Sequence, residues 1–260
     1  MMKLGINMNA YPAPISVQVE NMLKNGFAAT FSMADSPTLE EEILACRAAG
    51  IVHENLHAPF RHINEIWIEG EAGDAMLDEL ICAVDSCKKY GIPNLVIHLS
   101  SGKTPPRVSE IGFARFDRLF AYAKEQGIRL AIENQRKLGI LSLFMDYYPD
   151  AFFCYDTGHQ ACFGQGLPFM EAFGKRLIAV HIHDNNTVED EHRLPFDADI
   201  DFSPLMMDIA DSPYQGAVML EVVATHTHYY DTTTAEEYYA RASAAASRLR
   251  DLIRYHRTNF

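Results

Sequence analysis

Apolar and polar positions alternate along the chain on two periods. Eight short apolar runs, at 4–8, 28–32, 52–57, 94–99, 129–133, 151–156, 177–182 and 217–222, read as strands. Between them, longer stretches carry apolar residues at helical spacing: 16–25, 38–49, 73–90, 108–126, 140–147, 168–174, 202–208 and 234–256. Several end on a glycine just before the next strand, as in Lys24-Asn25-Gly26, Ala48-Ala49-Gly50, Lys89-Tyr90-Gly91 and Glu125-Gln126-Gly127. Glycine accepts the left-handed conformation that closes a helix. Strands alternating with helices predict a parallel sheet. Eight repeats predict its closure into a (β/α)8 TIM barrel, the alternative being an open doubly wound sheet. No GxGxxG follows the first strand, which disfavours the dinucleotide-binding version of the latter. No linker or low-complexity tract divides the chain, so residues 1–260 are expected to form a single domain.

The strand pattern places chemistry at strand ends. The third run ends at His57, the fourth runs through VIHLSSG with His98, and the fifth ends LAIEN with Glu133. The sixth ends FCYDTGH, carrying Asp156 and His159. The seventh ends AVHIHDN, with His181, His183 and Asp184. The eighth ends MLEVV, with Glu221. In a parallel barrel all C-terminal strand ends open on one mouth, so these residues converge. Each has a plain alternative, a packed core histidine or a helix-capping carboxylate. Repetition at so many strand ends makes coincidence a poor account. Several buried carboxylates together are unfavourable without compensation, and a divalent cation supplies it. Glu133, Asp156, His181 and Glu221 are therefore expected to bind metal. Imidazole with carboxylate suits zinc, manganese, cobalt or iron better than calcium. His183 shares a face with His181 but lies where the strand gives way to loop, and is read as structural. His226 and His228 are read as surface residues.

Composition narrows the class. No stretch reaches the roughly 18 apolar residues of a membrane helix. The N-terminal MMKLGINMNA has one Lys and runs straight into a strand, so no signal peptide is expected. The five cysteines, Cys46, Cys82, Cys87, Cys154 and Cys162, are odd in number and form no CxxC. Reduced, mostly buried thiols in a cytoplasmic protein are expected. A formal charge of −13 argues mildly against nucleic acid or an anionic membrane as partner, without excluding a local basic rim. A homo-oligomer is compatible with the composition.

The chain resembles the xylose isomerase-like superfamily of barrels, which includes sugar isomerases and epimerases, inosose dehydratases and endonuclease IV. The resemblance runs from KLGIN at Lys3 to LEVV at Val223. It rests on HAPF at His57, IEN at Ile132, DTGH at Asp156, VHIHDN at Val180 and DEHRLPFDADIDF at Asp190, taken in order. It implies that Glu133, Asp156, His181 and Glu221 hold the main metal. It also implies that Glu133 and Glu221 act as an acid/base pair and that His159 contacts substrate, as in the ketose epimerases. The segment from Asp190 to Pro195 looks like the family's D-x-H-x-x-P loop. Endonuclease IV uses nine ligands for three metals, and matching residues stand at all nine positions: His57, His98, Glu133, Asp156, His159, His181, Asp190, His192 and Glu221. One to three ions, zinc or manganese, are thus implied. One departure is Ala198, where the family's P-x-x-G-x-I-D stretch usually has Gly.

Two reaction classes follow. The first is a metal-dependent sugar or sugar-phosphate isomerase or epimerase of carbohydrate metabolism, working by proton transfer through a metal-stabilised enediolate. Lys103, Arg107, Arg136 and Arg193 follow strand ends; Lys103 and Arg193 are the candidates for holding substrate. The second is a phosphodiesterase acting on abasic DNA. It needs loops with Arg and Lys for phosphates and with apolar wedges. The RHINEIWIEGEAGD loop is acidic despite Trp67, and QACFGQGLPF has no Lys or Arg, so the sugar reading is preferred. A polyol or inosose dehydratase would share the same metal.

Overall fold

A computed structural model describes residues 1–164 and 166–259. Strands β1 (Leu4–Ile6), β2 (Phe27–Met33), β3 (Val52–His57), β4 (Asn94–Ile97), β5 (Arg129–Glu133), β6 (Phe152–Asp156), β7 (Leu177–His181) and β8 (Val218–Leu220) form one sheet in which neighbours run parallel. Its order is β7-β6-β5-β4-β3-β2-β1-β8. The two ends meet through a parallel bridge between Ile182 and Leu220, with Ile182 N–H donating to Met219 O at 3.0 Å. The result is the eight-stranded barrel that the alternation predicts, not an open sheet.

Helices cover the outside: α1 (Ile15–Lys24), α2 (Leu39–Ala48), α3 (Glu71–Tyr90), α4 (Glu110–Gln126), α5 (Leu138–Tyr147), α6 (Thr157–Phe163), α7 (Phe169–Phe173), α8 (Phe202–Asp211) and α9 (Ala235–Asn259). Gly91 and Gly127 close α3 and α4 at φ 66° and 73°, the role expected of them. Helix α6 was not expected. It is 7 residues long, with Gly158 in its first turn, so it has no amphipathic period to detect. Its start is fixed instead by Asp156, whose Oδ1 accepts the His159 N–H at 2.6 Å.

Strand alternation sets the layer under the mouth. Two residues before the strand-end positions stand Val96 (before His98), Ala131 (before Glu133), Cys154 (before Asp156) and Ala179 (before His181). They form a small buried cluster of their own. Gly5 leaves room for Met219, whose Cε would lie 2.7 Å from a Cβ there. Small residues here give the longer ligand side chains above them a close-packed floor. Cys46, Cys87 and Cys154 are buried thiols as expected, Cys162 is half-buried, and Cys82 is exposed.

At the opposite end of β3, His53 is buried with Nε2 3.1 Å from Ser32 Oγ. Burial lowers its pKa to about 4, outweighing the Glu42 carboxylate that acts the other way. The unfolded chain therefore binds the extra proton between pH 6.5 and 4. Its contribution is complete above pH 6.5 and is lost as pH falls toward 4. The displacement from 6.5 to about 4 corresponds to about 3 kcal/mol, at about 1.4 kcal/mol per unit. Urea denaturation of chelator-treated protein should show stability falling over this window. His53→Gln should flatten that part of the profile, and an unchanged slope would show that His53 does not titrate there.

Candidate metal centre

The strand ends, the start of α6 and the loop after β7 bring every sequence-singled ligand to one cluster at the mouth. Its hub is Glu133, at the tip of β5, with a side chain 1% exposed. Its Oε2 faces His181 Nδ1 at 2.9 Å and His57 Nε2 at 3.4 Å. Its Oε1 faces His159 Nδ1 at 2.9 Å and His98 Nε2 at 3.3 Å. Glu221, just past β8, places Oε2 3.3 Å from His181 Nδ1. Asp190 spans an outer group: Oδ2 lies 3.0 Å from His159 Nε2, and Oδ1 lies 3.5 Å from both His183 and His192 Nε2.

Among the described residues the ligand atoms form five groups close enough to share an ion; three of these take in every candidate ligand. The three are Glu133–Asp156–His181–Glu221, His57–His98–Glu133 and His159–His183–Asp190–His192. Ligands about 2.0–2.1 Å from a tetrahedral zinc stand about 3.3 Å apart, close to the separations above. Several donors are aimed without being satisfied. Asp156 Oδ2, Asp190 Oδ1 and both His183 ring nitrogens are buried with no hydrogen bond, although His183 Nε2 is 3.2 Å from Asp156 Oδ1. Close approach without hydrogen-bond alignment is the arrangement of lone pairs converging on a cation. The outer imidazoles also have fixed tautomers. Nδ1 of His57, His159 and His192 donates to the carbonyls of Ala58, Asn134 and Glu221 at 2.8, 3.0 and 3.0 Å, leaving each Nε2 as a lone pair turned inward. The residues present thus fit a divalent cation of the zinc class.

Electrostatics agree. Burial pushes the Glu133 carboxyl up, but the His98, His159, His181 and His57 imidazoles overcome it and hold it well below the usual range. Burial and His181 act the same way on Glu221, and burial and His159 with His192 on Asp190; both remain ionised. Conversely, burial lowers His192, yet Asp190 and Glu221 raise it to about 9. Burial likewise disfavours the charged forms of His159 and His181, yet the neighbouring carboxylates raise both well above the usual imidazole range, whereas at His98 burial prevails and the pKa is lowered. Protons and a metal ion compete for the same lone pairs.

Supporting residues lock the frame. Asn134 clamps β5 to β6, donating to Asp156 O and accepting from Asp156 N–H, both at 2.8 Å. Asp184 accepts the N–H groups of Asn185, Phe196, Ala198 and Ile200 at 2.8–3.0 Å, which folds the 190–200 loop over the mouth. Ala198 stands there without a positive φ, so this loop does not need glycine at that position. The left-handed positions are His192 at φ 51° and Phe196 at φ 74°. Phe60 stacks on His98, centroids 4.5 Å apart, and the Arg136 guanidinium lies over the Phe163 ring at 3.7 Å.

Sequence reasoning set His183 aside, and the structure brings it into the outer group, stacked on His192 at 4.0 Å. It also missed Gln135, whose Nε2 reaches Glu133, His98 and His159. The other singled-out residues sit differently. Lys103 and Arg107 are exposed. Arg193 is held by Glu191 at 2.6 Å and lies over Tyr229. His226 edges His192 at 5.3 Å, and His228 is fully exposed. Trp67 is buried, with its indole N–H on Leu99 O, so it offers no wedge to a duplex. In the 160–169 segment, Gln165 lies outside the described residues.

This barrel and this strand-end cluster point to one barrel family. The chain belongs to the xylose isomerase-like TIM barrel family, whose model matches residues 20–250. It is 31% identical over 186 residues to the uncharacterized protein y4fM of Sinorhizobium fredii, a match covering 65% of this chain and 58% of that protein. The chain thus spans less than two thirds of that relative's length. Among solved structures, it resembles a D-psicose 3-epimerase of Clostridium cellulolyticum determined with D-tagatose. That match has a TM-score of 0.79 and 14% identity, covering 97% of this chain and 99% of the other. The zinc-bound IOLI protein matches with a TM-score of 0.78 and 15% identity, covering 98% and 99%. At these identities the likeness is one of fold. No helix among the described residues is long and apolar enough to cross a membrane.

Gly158 tests the outer group. A Cβ there would lie 1.9 Å from His183 Cε1, so Gly158→Ala must displace the ring. The expected result is a loss of about 1–3 kcal/mol in chemical denaturation, as for other overpacked sites. Zinc bound at the outer group should fall with it, counted by elemental analysis. Full zinc retention would show that His183 is not a ligand.

Proposed function

We propose that this chain, folded as one domain, is a divalent-metal-dependent enzyme that isomerises or epimerises a sugar or sugar phosphate. The observation that carries the reading is the pair of ionised carboxylates, Glu133 and Glu221, meeting the same His181 Nδ1 at 2.9 and 3.3 Å at the barrel mouth. The fold relatives that handle sugars, the D-psicose 3-epimerase above all, support it. Glu133, Asp156, His181 and Glu221 would hold the main ion. When bound, it supplies a Lewis acid that polarises a substrate carbonyl and lowers the barrier to removing the adjacent carbon-bound proton.

The two carboxylates are not equivalent. Glu133 has both oxygens engaged by imidazoles and is 1% exposed, whereas Glu221 is 14% exposed. Glu221 is therefore the better-placed group to take the proton from carbon. Glu133, ionised at rest, can return a proton on the other face only after an imidazole that faces it, such as His159 Nδ1 at 2.9 Å, has handed it one. Lys103 and Arg193 remain the candidates for an anionic substrate end; Lys103 has the freer reach.

The histidine-rich outer groups favour a second reading, a metal-dependent phosphodiesterase that nicks abasic DNA, because several ions there would stabilise a leaving oxyanion. Glu221→Gln should lower turnover on a responsive ketose or ketose phosphate by about 10²–10⁴-fold while leaving the circular dichroism spectrum unchanged. Wild-type product formed in deuterated water should carry deuterium at the reacting carbon. Metal-dependent nicking of an abasic strand, with no carbon exchange across a ketose panel, would replace this reading with the second.

A further inference from the structure

Gln135 follows Glu133 by two residues, in the turn between β5 and α5. An extended chain puts both side chains on one side. The carboxamide folds back into the cluster, with Nε2 2.7 Å from Glu133 Oε1 and 3.0 Å from His98 Nε2. The orientation of the amide follows from Glu133, since an amide oxygen at 2.7 Å would oppose a carboxylate oxygen. A carboxamide has two N–H groups. One is committed to Glu133 Oε1; the other meets the His98 Nε2 lone pair when the His98 proton sits on Nδ1. His159 Nδ1, 3.2 Å from the same nitrogen, is no third acceptor, because its own proton goes to Asn134 O at 3.0 Å.

The two lone pairs that Gln135 occupies are those an ion would need. His57 Nε2, 3.2 Å from His98 Nε2 and 3.4 Å from the other carboxylate oxygen, Oε2, completes the His57–His98–Glu133 group. The Glu133–Asp156–His181–Glu221 group draws on the other oxygen, Oε2, which faces His181. Gln135 therefore opposes one position and leaves its neighbour untouched. It is half-buried, so it can swing outward without disturbing the core.

We propose that Gln135 is a gate on metal loading: its carboxamide makes the His57–His98–Glu133 group the weaker, later-filled position, and the Glu133–Asp156–His181–Glu221 group fills first. This rests on the metal-site reading above. Gln135 acts through the ligands, so it is a positioning residue that selects how many ions the mouth carries.

The test titrates cobalt and zinc, with chelator competition, into full-length chelator-treated protein, and follows the cobalt visible bands. In wild type, two or more binding phases are expected, the first tighter. Gln135→Ala should raise the affinity of a later phase by about tenfold or more and leave the first within about twofold. Gln135→Asn, one methylene shorter, should behave like Gln135→Ala. Unchanged thermal midpoints for both variants would show the fold intact. A later phase that weakens in Gln135→Ala would make Gln135 a ligand, and an unchanged one would make it a bystander; either overturns the gate alone. No uptake of ion by wild type or variants would overturn the metal reading, and the gate with it.

Discussion

The structure turns on one buried carboxylate. Glu133 carries a charge at the top of a packed barrel with its side chain 1% exposed. An isolated charge there would be unfavourable by several kcal/mol even after relaxation. Four imidazoles and one carboxamide surround it, and each is delivered by a different part of the chain: His57 from β3, His98 from beyond β4, Gln135 from its own strand's extension, His159 from α6 and His181 from β7. The Glu133 side chain thus depends on the barrel's closure for its neutralisation. The closed barrel in turn has a reason to hold five elements in register. Its two oxygens divide the surroundings. Oε2 faces His181 and His57, and Oε1 faces His98 and His159, so one side chain links two ligand groups.

The ligands arrive by two routes of different rigidity. Those on strand tips inherit their positions from the parallel ladder and the small-residue layer beneath. Asp190 and His192 come from a loop. That loop is ordered from below by Asp184, which gathers four backbone N–H groups and is itself fully buried. It is ordered from the side by the antiparallel bridge between Asp184 and Arg193. His192 sits at a positive φ that a histidine adopts only against a cost of about 1–3 kcal/mol. The strain is held by its Nδ1 bond to Glu221 O and by the stack on His183. The outer group is therefore assembled by tertiary contacts, while the main group is nearly given by topology.

That difference explains what could be read from the sequence. The eight strands and the convergence of their tips were legible because a period-two pattern and a parallel sheet leave few alternatives. Strand lengths were not. β1, β4 and β8 leave the ladder early, and past β4 and β8 the chain delivers His98 and Glu221 to the site. Helix α6 escaped because Asp156 is at once a candidate ligand and the cap that starts it, and seven residues carry no period. His183 was placed on the correct face, but the strand was assumed to end at Ile182. The Ile182–Leu220 and Asp184–Arg193 bridges keep the chain extended past that point, so His183 still aims inward. Gln135 escaped by the same assumption. One rule finds both: two residues beyond a strand-tip ligand, look again at the same face.

The two chemistries considered for this mouth share the main group and part at the outer ones. Proton transfer at carbon needs one Lewis acid and two bases that can change protonation state. Phosphodiester cleavage of the multi-metal kind instead uses its cations to generate the attacking hydroxide and to stabilise the leaving oxygen. A second ion on Glu133 Oε1 would draw that carboxylate further into ligation and weaken it as a base. The choice between the chemistries therefore passes through the same oxygen that Gln135 holds at 2.7 Å. A neutral amide there leaves Glu133 with hydrogen bonds that can be broken and remade within a catalytic cycle. A cation would fix it. On this argument, the occupant of a single lone pair on Glu133 separates a base from a bridging ligand, and so separates one reaction class from the other.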